Sequence, residues 1–259
     1  MDLGLKGKWA LVCGSSTGLG FACAHSLAQE GVNLVMVART ASTLAASADR
    51  IRQATGVEVI ALASDVSKAQ DRLQAVRAAP QIDILINNAG GPKPADFREL
   101  SRDDWLAALD TNMLAPLDLI NLVIDPMIER GFGRIVNITS IAVKAPVDML
   151  ILSNGARAGL TGAVGSIARQ VARHNVTINN ALPGRFDTDR LRSNNLKRAQ
   201  LSGRTVEQEV EMQVANIPAR RLGVADEFGQ ACAFLCSRQA GYISGQNILI
   251  DGGLFPGLL

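Results

Sequence analysis

Two hydroxyls and one guanidinium carry the most specific chemistry in this sequence. Ser140 stands just past the apolar run 133–139, with Ser153 thirteen residues later and Arg157 four beyond that. A helix through Ser153 and Arg157 presents both on one face. Ser140, at the carboxyl end of a strand, occupies the place where open parallel sheets bind ligands. Hydroxyls there can polarise a carbonyl. A guanidinium keeps its proton, so it holds a ribose or steadies developing negative charge.

A second constellation lies near the start. Cys13-Gly-Ser-Ser-Thr-Gly-Leu-Gly20 places Gly14, Gly18 and Gly20 around Ser16, Thr17 and Leu19. Such a turn lets backbone approach a pyrophosphate at a helix N-terminus, where free N–H groups attract anions. About twenty residues on, where a carboxylate would bind a ribose 2′-hydroxyl, the chain reads Ala38-Arg39-Thr40. Arg39 suits a 2′-phosphate through charge-assisted hydrogen bonds. The expected cofactor is NADP(H) in preference to NAD(H).

The elements that must position these residues follow from glycine-bounded apolar runs. Strands are expected at 8–13, 32–38, 57–63, 82–86, 133–139, 176–182 and 247–250. Helical periodicity covers 17–30, 42–54, a stretch capped by Ser67, 101–130 with a kink at Pro116, 148–173, 203–215 and 225–236. Ser101 and Asp104 have capping-box spacing. Alternation of strand and helix predicts one α/β domain over 1–259: a doubly wound parallel sheet of about seven strands with helices on both faces.

Composition narrows the function classes. The 259 residues are 47% hydrophobic and 19% charged, enough for a large core without staples. A formal charge of +2 is too small to imply a nucleic-acid partner, and none is expected. Cys13, Cys23, Cys232 and Cys236 have no zinc-like spacing, so no metal is expected, and they fit a reducing cytoplasm. The start lacks a signal-peptide core, and Pro116, Asp118 and Asp125 interrupt the most apolar helix, so no membrane partner is expected.

Taken in order, the motifs resemble the short-chain dehydrogenase/reductase family, in particular its 3-oxoacyl-carrier-protein-reductase-like group. Gly14, Gly18 and Gly20 match T-G-x-x-x-G-x-G, with Cys13 in place of Thr. Asp65-Val66, Asn87-Asn88-Ala89-Gly90, Asn112, and Pro183-Gly184 with Thr188 match further family motifs. So does Tyr242-Ile-Ser-Gly-Gln before Ile-Asp-Gly-Gly. The resemblance implies a Rossmann-like fold, an adenine contact at Asp65, cofactor contacts at Asn88, Ala89, Gly90 and Arg157, and a carboxamide clasp at Pro183, Gly184 and Thr188. It also implies a catalytic set at Asn112, Ser140, Ser153 and Arg157, and a homotetramer.

Two positions depart from the family. Tyrosine is expected where Ser153 stands, and lysine where Arg157 stands. The single tyrosine, Tyr242, lies far along the chain. In the family the phenol protonates the alkoxide formed by hydride transfer. A serine hydroxyl is a far weaker acid, and losing general acid catalysis costs about two to four powers of ten in rate. Three readings follow: a carbonyl reductase with a water-borne proton, Lys144 and Asp148 being the nearby relays; a reductase of an imine or conjugated alkene; or a silent cofactor- and ligand-binding protein. The resemblance implies that the segment 185–198 covers a small-molecule substrate; its Arg185, Arg190, Arg192, Lys197 and Arg198 outnumber Asp187 and Asp189, which fits either a solvated basic helix, the reading preferred, or an anionic substrate. The stripes Leu114, Leu117, Ile120, Ile124 and Ala156, Leu160, Ala163, Val164 fit either core or a subunit interface.

Overall fold

The computed structural model describes residues 1–258. Each expected strand forms: β1 (Trp9–Cys13), β2 (Asn33–Ala38), β3 (Val59–Ala63), β4 (Ile84–Asn87), β5 (Gly133–Ile138), β6 (Val176–Pro183) and β7 (Asn247–Ile250). All pair in parallel, in the order β3-β2-β1-β4-β5-β6-β7. The order reverses between β1 and β4, which opens a crevice at their carboxyl ends.

Nine α-helices are formed among the described residues: α1 (Gly18–Gln29), α2 (Ala41–Thr55), α3 (Ala69–Arg77), α4 (Arg102–Leu109), α5 (Ala115–Glu129), α6 (Ile151–Val171), α7 (Asp189–Ser202), α8 (Val206–Ala215) and α9 (Ala225–Cys236). Strand side chains alternate between two cores. Ala10, Val12, Leu34 and Met36 meet Leu27 of α1, Leu44 of α2 and Phe228 of α9. Leu11, Cys13, Val35 and Val37 share the other core with Ala75 of α3, Ile120 of α5 and Leu160 of α6. Burial on both faces explains why β1 and β2 read as continuous apolar runs. Cys23, Cys232 and Cys236 are free thiols buried in the first core.

Several boundaries differ from expectation. The run 101–130 is helical without a break from Arg102 to Glu129, but the irregularity in it is a π-helical turn, Asp110–Leu114, between α4 and α5 rather than a kink at Pro116. Pro116 therefore sits in the first turn of α5, where its missing N–H costs little. The Ser101–Asp104 capping box forms. Ser67 does not cap α3; Lys68 holds that place, and the Ser67 hydroxyl donates to Asp65 instead. α6 begins at Ile151, because Met149 takes a left-handed φ of 63°. The span Arg102–Glu129 is long and apolar enough to cross a membrane by length and composition, yet here Leu119, Ile120, Val123 and Met127 pack in the core. Leu160 and Val164 do likewise, while Leu114 of the same candidate stripes is exposed.

Beneath the crevice a ladder of amides crosses four strands. Asn87 Nδ2 donates to Asn137 Oδ1 (2.9 Å), Asn137 Nδ2 to Asn180 Oδ1 (3.0 Å), and Asn180 Nδ2 to Asn247 Oδ1 (2.8 Å). These residues are direct partners in the strand register. The ladder fixes the relative height of β4 to β7, whose ends carry the site. Asn137→Ala should strand one donor of Asn87 and the acceptor of Asn180. At about 1–3 kcal/mol per orphaned group, urea unfolding should show a loss of about 2–6 kcal/mol.

Candidate functional site

Two cavities open along the carboxyl edge of the sheet and share Gly14 and the loop 88–92 after β4. The smaller, about 520 Å³, lies over β2 and β3 and is lined by Ser16, Arg39, Thr40, Asp65, Val66 and Asn112. The larger, about 810 Å³, lies over β5 and β6 under α7. It is lined by Thr17, Gly18, Leu19, Ser140, Ser153, Arg157, Pro183, Gly184 and Thr188. Asn88, Ala89 and Gly90 border both.

The glycine turn is shaped by sterics. Gly14 has φ 58°, and a Cβ there would lie 2.6 Å from Asn88 Nδ2, which donates to the Gly14 carbonyl at 3.1 Å. Gly20 lines neither cavity. Its α-carbon faces the Gly14 carbonyl so closely that any side chain would overlap it. It is therefore a packing residue that lets α1 start directly against the turn. Thr17, the N-cap of α1, makes no side-chain cap, and Thr17, Gly18 and Leu19 line the larger cavity, so the first N–H groups of α1 are left without a side-chain partner beside it. Cys13 takes no part: burial pushes its thiol up to about 12.

At the far end of the smaller cavity, Asp65 accepts from the backbone N–H (3.1 Å) and hydroxyl (2.9 Å) of Ser67. The Ser67 amide chiefly holds the Asp65 carboxyl below its ordinary value, with the positive charge of Arg39 adding to the effect. Asn112 lies in the π-turn and lines this cavity rather than the one holding Ser140, Ser153 and Arg157. Its Nδ2 donates back to Ala108 at 3.3 Å. Asn112 thus lies on the smaller side, and Ser140, Ser153 and Arg157 on the larger side, of two adjoining cavities that share Gly14 and residues 88–92.

The larger cavity has Arg157 at its floor. The guanidinium is buried and donates three times: Nη1 to the Ile138 carbonyl (2.7 Å), Nε to Ser153 Oγ (3.2 Å) and Nη2 to the Ala89 carbonyl (3.4 Å). Burial, then repulsion from Arg190, brings its pKa down to about 10. Ser140 Oγ accepts from the Ala142 N–H (3.1 Å). Each serine oxygen thus receives a hydrogen bond, and each O–H remains able to donate toward the cavity. Of the two candidate relays, Asp148 lines this cavity and Lys144 is not among its lining residues. Tyr242 is fully exposed before β7 and lines neither cavity.

Some lining residues gave no sequence signal. Lys93, paired with Asp104 at 2.8 Å, borders the smaller cavity. Met149 borders the larger one, and its left-handed backbone is a strain site of the kind found beside ligands. The cover over the larger cavity is α7. Thr188 caps it, accepting from the Leu191 N–H at 3.3 Å. Polar contacts hold α7 and α8: Arg185 donates to Gln213 (2.6 Å), which donates to Asn195 (2.8 Å).

This chain belongs to the short-chain dehydrogenase family, whose model matches residues 8–199. It is 32% identical to an acetoacetyl-CoA reductase of Cupriavidus necator over 255 residues, covering 96% of this chain and 98% of that protein. It is equally 32% identical to the 3-oxoacyl-[acyl-carrier-protein] reductase FabG of Escherichia coli over 254 residues, covering 98% and 99%. Among solved structures, the L-sorbose reductase of Gluconobacter frateurii, complexed with NADPH and L-sorbose, superposes with a TM-score of 0.95 at 28% identity over all of both chains.

The turn geometry leads to a paired test. Gly14→Ala forces a side chain into the left-handed region and against Asn88, and should cost about 1–3 kcal/mol in urea unfolding. Gly90→Ala meets open space and should stay within about 0.5 kcal/mol.

Proposed function

We propose that this protein is an NADPH-dependent reductase of small carbonyl compounds that works without a phenolic acid. The observation that carries the reading is the joined pair of cavities. One has Arg39 at its far end; the other has two hydroxyls beside a buried guanidinium. The sterically cleared turn at Gly14 and the uncapped start of α1 fit a dinucleotide pyrophosphate. Arg39 and Thr40 fit a 2′-phosphate, and Asp65 an adenine edge. When bound, the dinucleotide supplies the hydride.

The chain's own residues do the rest. The Ser140 and Ser153 hydroxyls donate to the substrate oxygen. The guanidinium hydrogen bond to Ser153 polarises that hydroxyl and strengthens it as a donor. Arg157 remains cationic at neutral pH and stabilises the negative charge that develops on the oxygen. Solvent delivers the proton, with Asp148 at the cavity edge as a relay.

A second reading rests on the absence of tyrosine, histidine, cysteine and glutamate from the described lining of the larger cavity. That lining favours acceptors whose reduced anion is already delocalised, such as an alkene conjugated to a carbonyl. NADPH absorbance with a panel of ketones and enones tests both readings. Turnover of either class supports a reductase, and silence across the panel with cofactor binding intact contradicts it.

Two variants probe the parts. Arg39→Ala should weaken NADPH binding about ten- to a hundredfold in calorimetry, the worth of a charge-assisted bond, and leave NADH nearly unchanged. Equal loss for both cofactors removes the 2′-phosphate assignment. Ser153→Tyr with Arg157→Lys installs the family's acid in the larger cavity. Ketone reduction should rise by about a hundredfold or more, and no gain would mean that the cavity itself does not accept the phenolic mechanism.

A further inference from the structure

The charge lining the larger cavity is unbalanced. Arg157, Arg185, Arg190, Lys197 and Arg198 line it, against Asp148 and Asp189. Asp189 is engaged by Arg192 at 3.3 Å. Arg190, Lys197 and Arg198 form no ion pair among the described residues. Like charges are also close: Arg190 depresses the pKa of Arg157, and Arg198 that of Arg185, each after burial. Half-buried Val147, Leu150 and Leu191 add apolar surface to the same lining, while Arg190, Lys197 and Arg198 are exposed at its rim. Cations crowded together beside apolar surface match a ligand with an anionic head and an alkyl or aryl body.

Dinucleotide phosphates do not account for the whole set. Thr188, at the start of α7, lies beside Gly18 of the glycine turn. Arg198 stands nine residues beyond Asp189, about 13 Å further along the helix. Lys197 and Arg198 therefore sit a long way from the pyrophosphate end.

We propose that the substrate of this reductase is an amphipathic carboxylate, whose anionic group is held by Lys197 and Arg198 of α7 while its reacting carbon lies near Ser140 and Ser153. This rests on the larger cavity being the substrate end of the reductase read above.

The test uses protein saturated with NADP⁺, titrated by calorimetry with hexanoate and with hexanamide, which share a chain and differ in charge. Hexanoate should bind about tenfold more tightly or better, and its advantage should shrink as salt rises. Lys197→Gln with Arg198→Gln should erase that advantage and leave NADP⁺ affinity within about twofold, because their charges lie beyond reach of the phosphates. Equal affinity of the two probes, or no measurable binding of either at millimolar concentration, overturns the proposal. So does a variant that loses NADP⁺ affinity but keeps the hexanoate advantage, since the cations then serve the cofactor. A carboxylate advantage in a protein that reduces no ketone or enone would sink the reductase reading and leave the anion site standing.

Discussion

The site depends on one buried guanidinium. Arg157 donates to backbone at the end of β5, to backbone in the loop after β4, and to the side chain one turn before it on α6. Removing such a group from water is costly, and the depressed pKa records that cost. Three hydrogen bonds to otherwise lone oxygens offset it. A planar fork of fixed geometry can serve three acceptors at once, which a single ammonium on a flexible stem does less well. Arg157 therefore locks the floor of the larger cavity and charges it in the same stroke.

That arrangement makes Ser153 and Arg157 intelligible as a pair rather than as two separate losses. The short serine side chain leaves its oxygen within reach of Nε one helical turn away. The pair offers hydrogen bonds and positive charge but little acidity. Family membership carries the fold to this chain, and the chemistry has to be argued from the site itself. The amide ladder through Asn87, Asn137, Asn180 and Asn247 serves the same end from below, because it sets the strand ends at matching heights under the site.

Much of the architecture was legible in the sequence, for a physical reason. A strand buried on both faces is mostly apolar, and glycine or proline stops it, so β1 and β2 announce themselves, while β4 and β5 are read from the apolar residues around the buried Asn87, Arg134 and Asn137. The Ser101–Asp104 cap was legible because both partners lie within one turn. The π-turn was not: it depends on how α4 and α5 pack against α6, and Pro116 pointed to a kink a few residues too late. Ser67 misled because serine is a common cap, whereas here Asp65 captures its hydroxyl. That Ser140, Ser153 and Arg157 would come together was legible by spacing, and they line one cavity. The placement of Asn112 in a π-turn was not, since that turn depends on three-dimensional packing. Nor could the left-handed Met149 be read, because its residue type disfavours that conformation.

The central claim is that this site stabilises negative charge without a titrating proton donor. Single-turnover reduction, followed by loss of NADPH absorbance in a stopped-flow instrument across pH, tests it most directly. A general acid must be protonated to act, so its rate limb falls as pH rises through its pKa. With Arg157 cationic until about 10 and no phenol in the cavity, the hydride-transfer rate should be flat from about pH 6 to about pH 9. A limb that falls within that window would reveal a proton donor in the site and contradict the account.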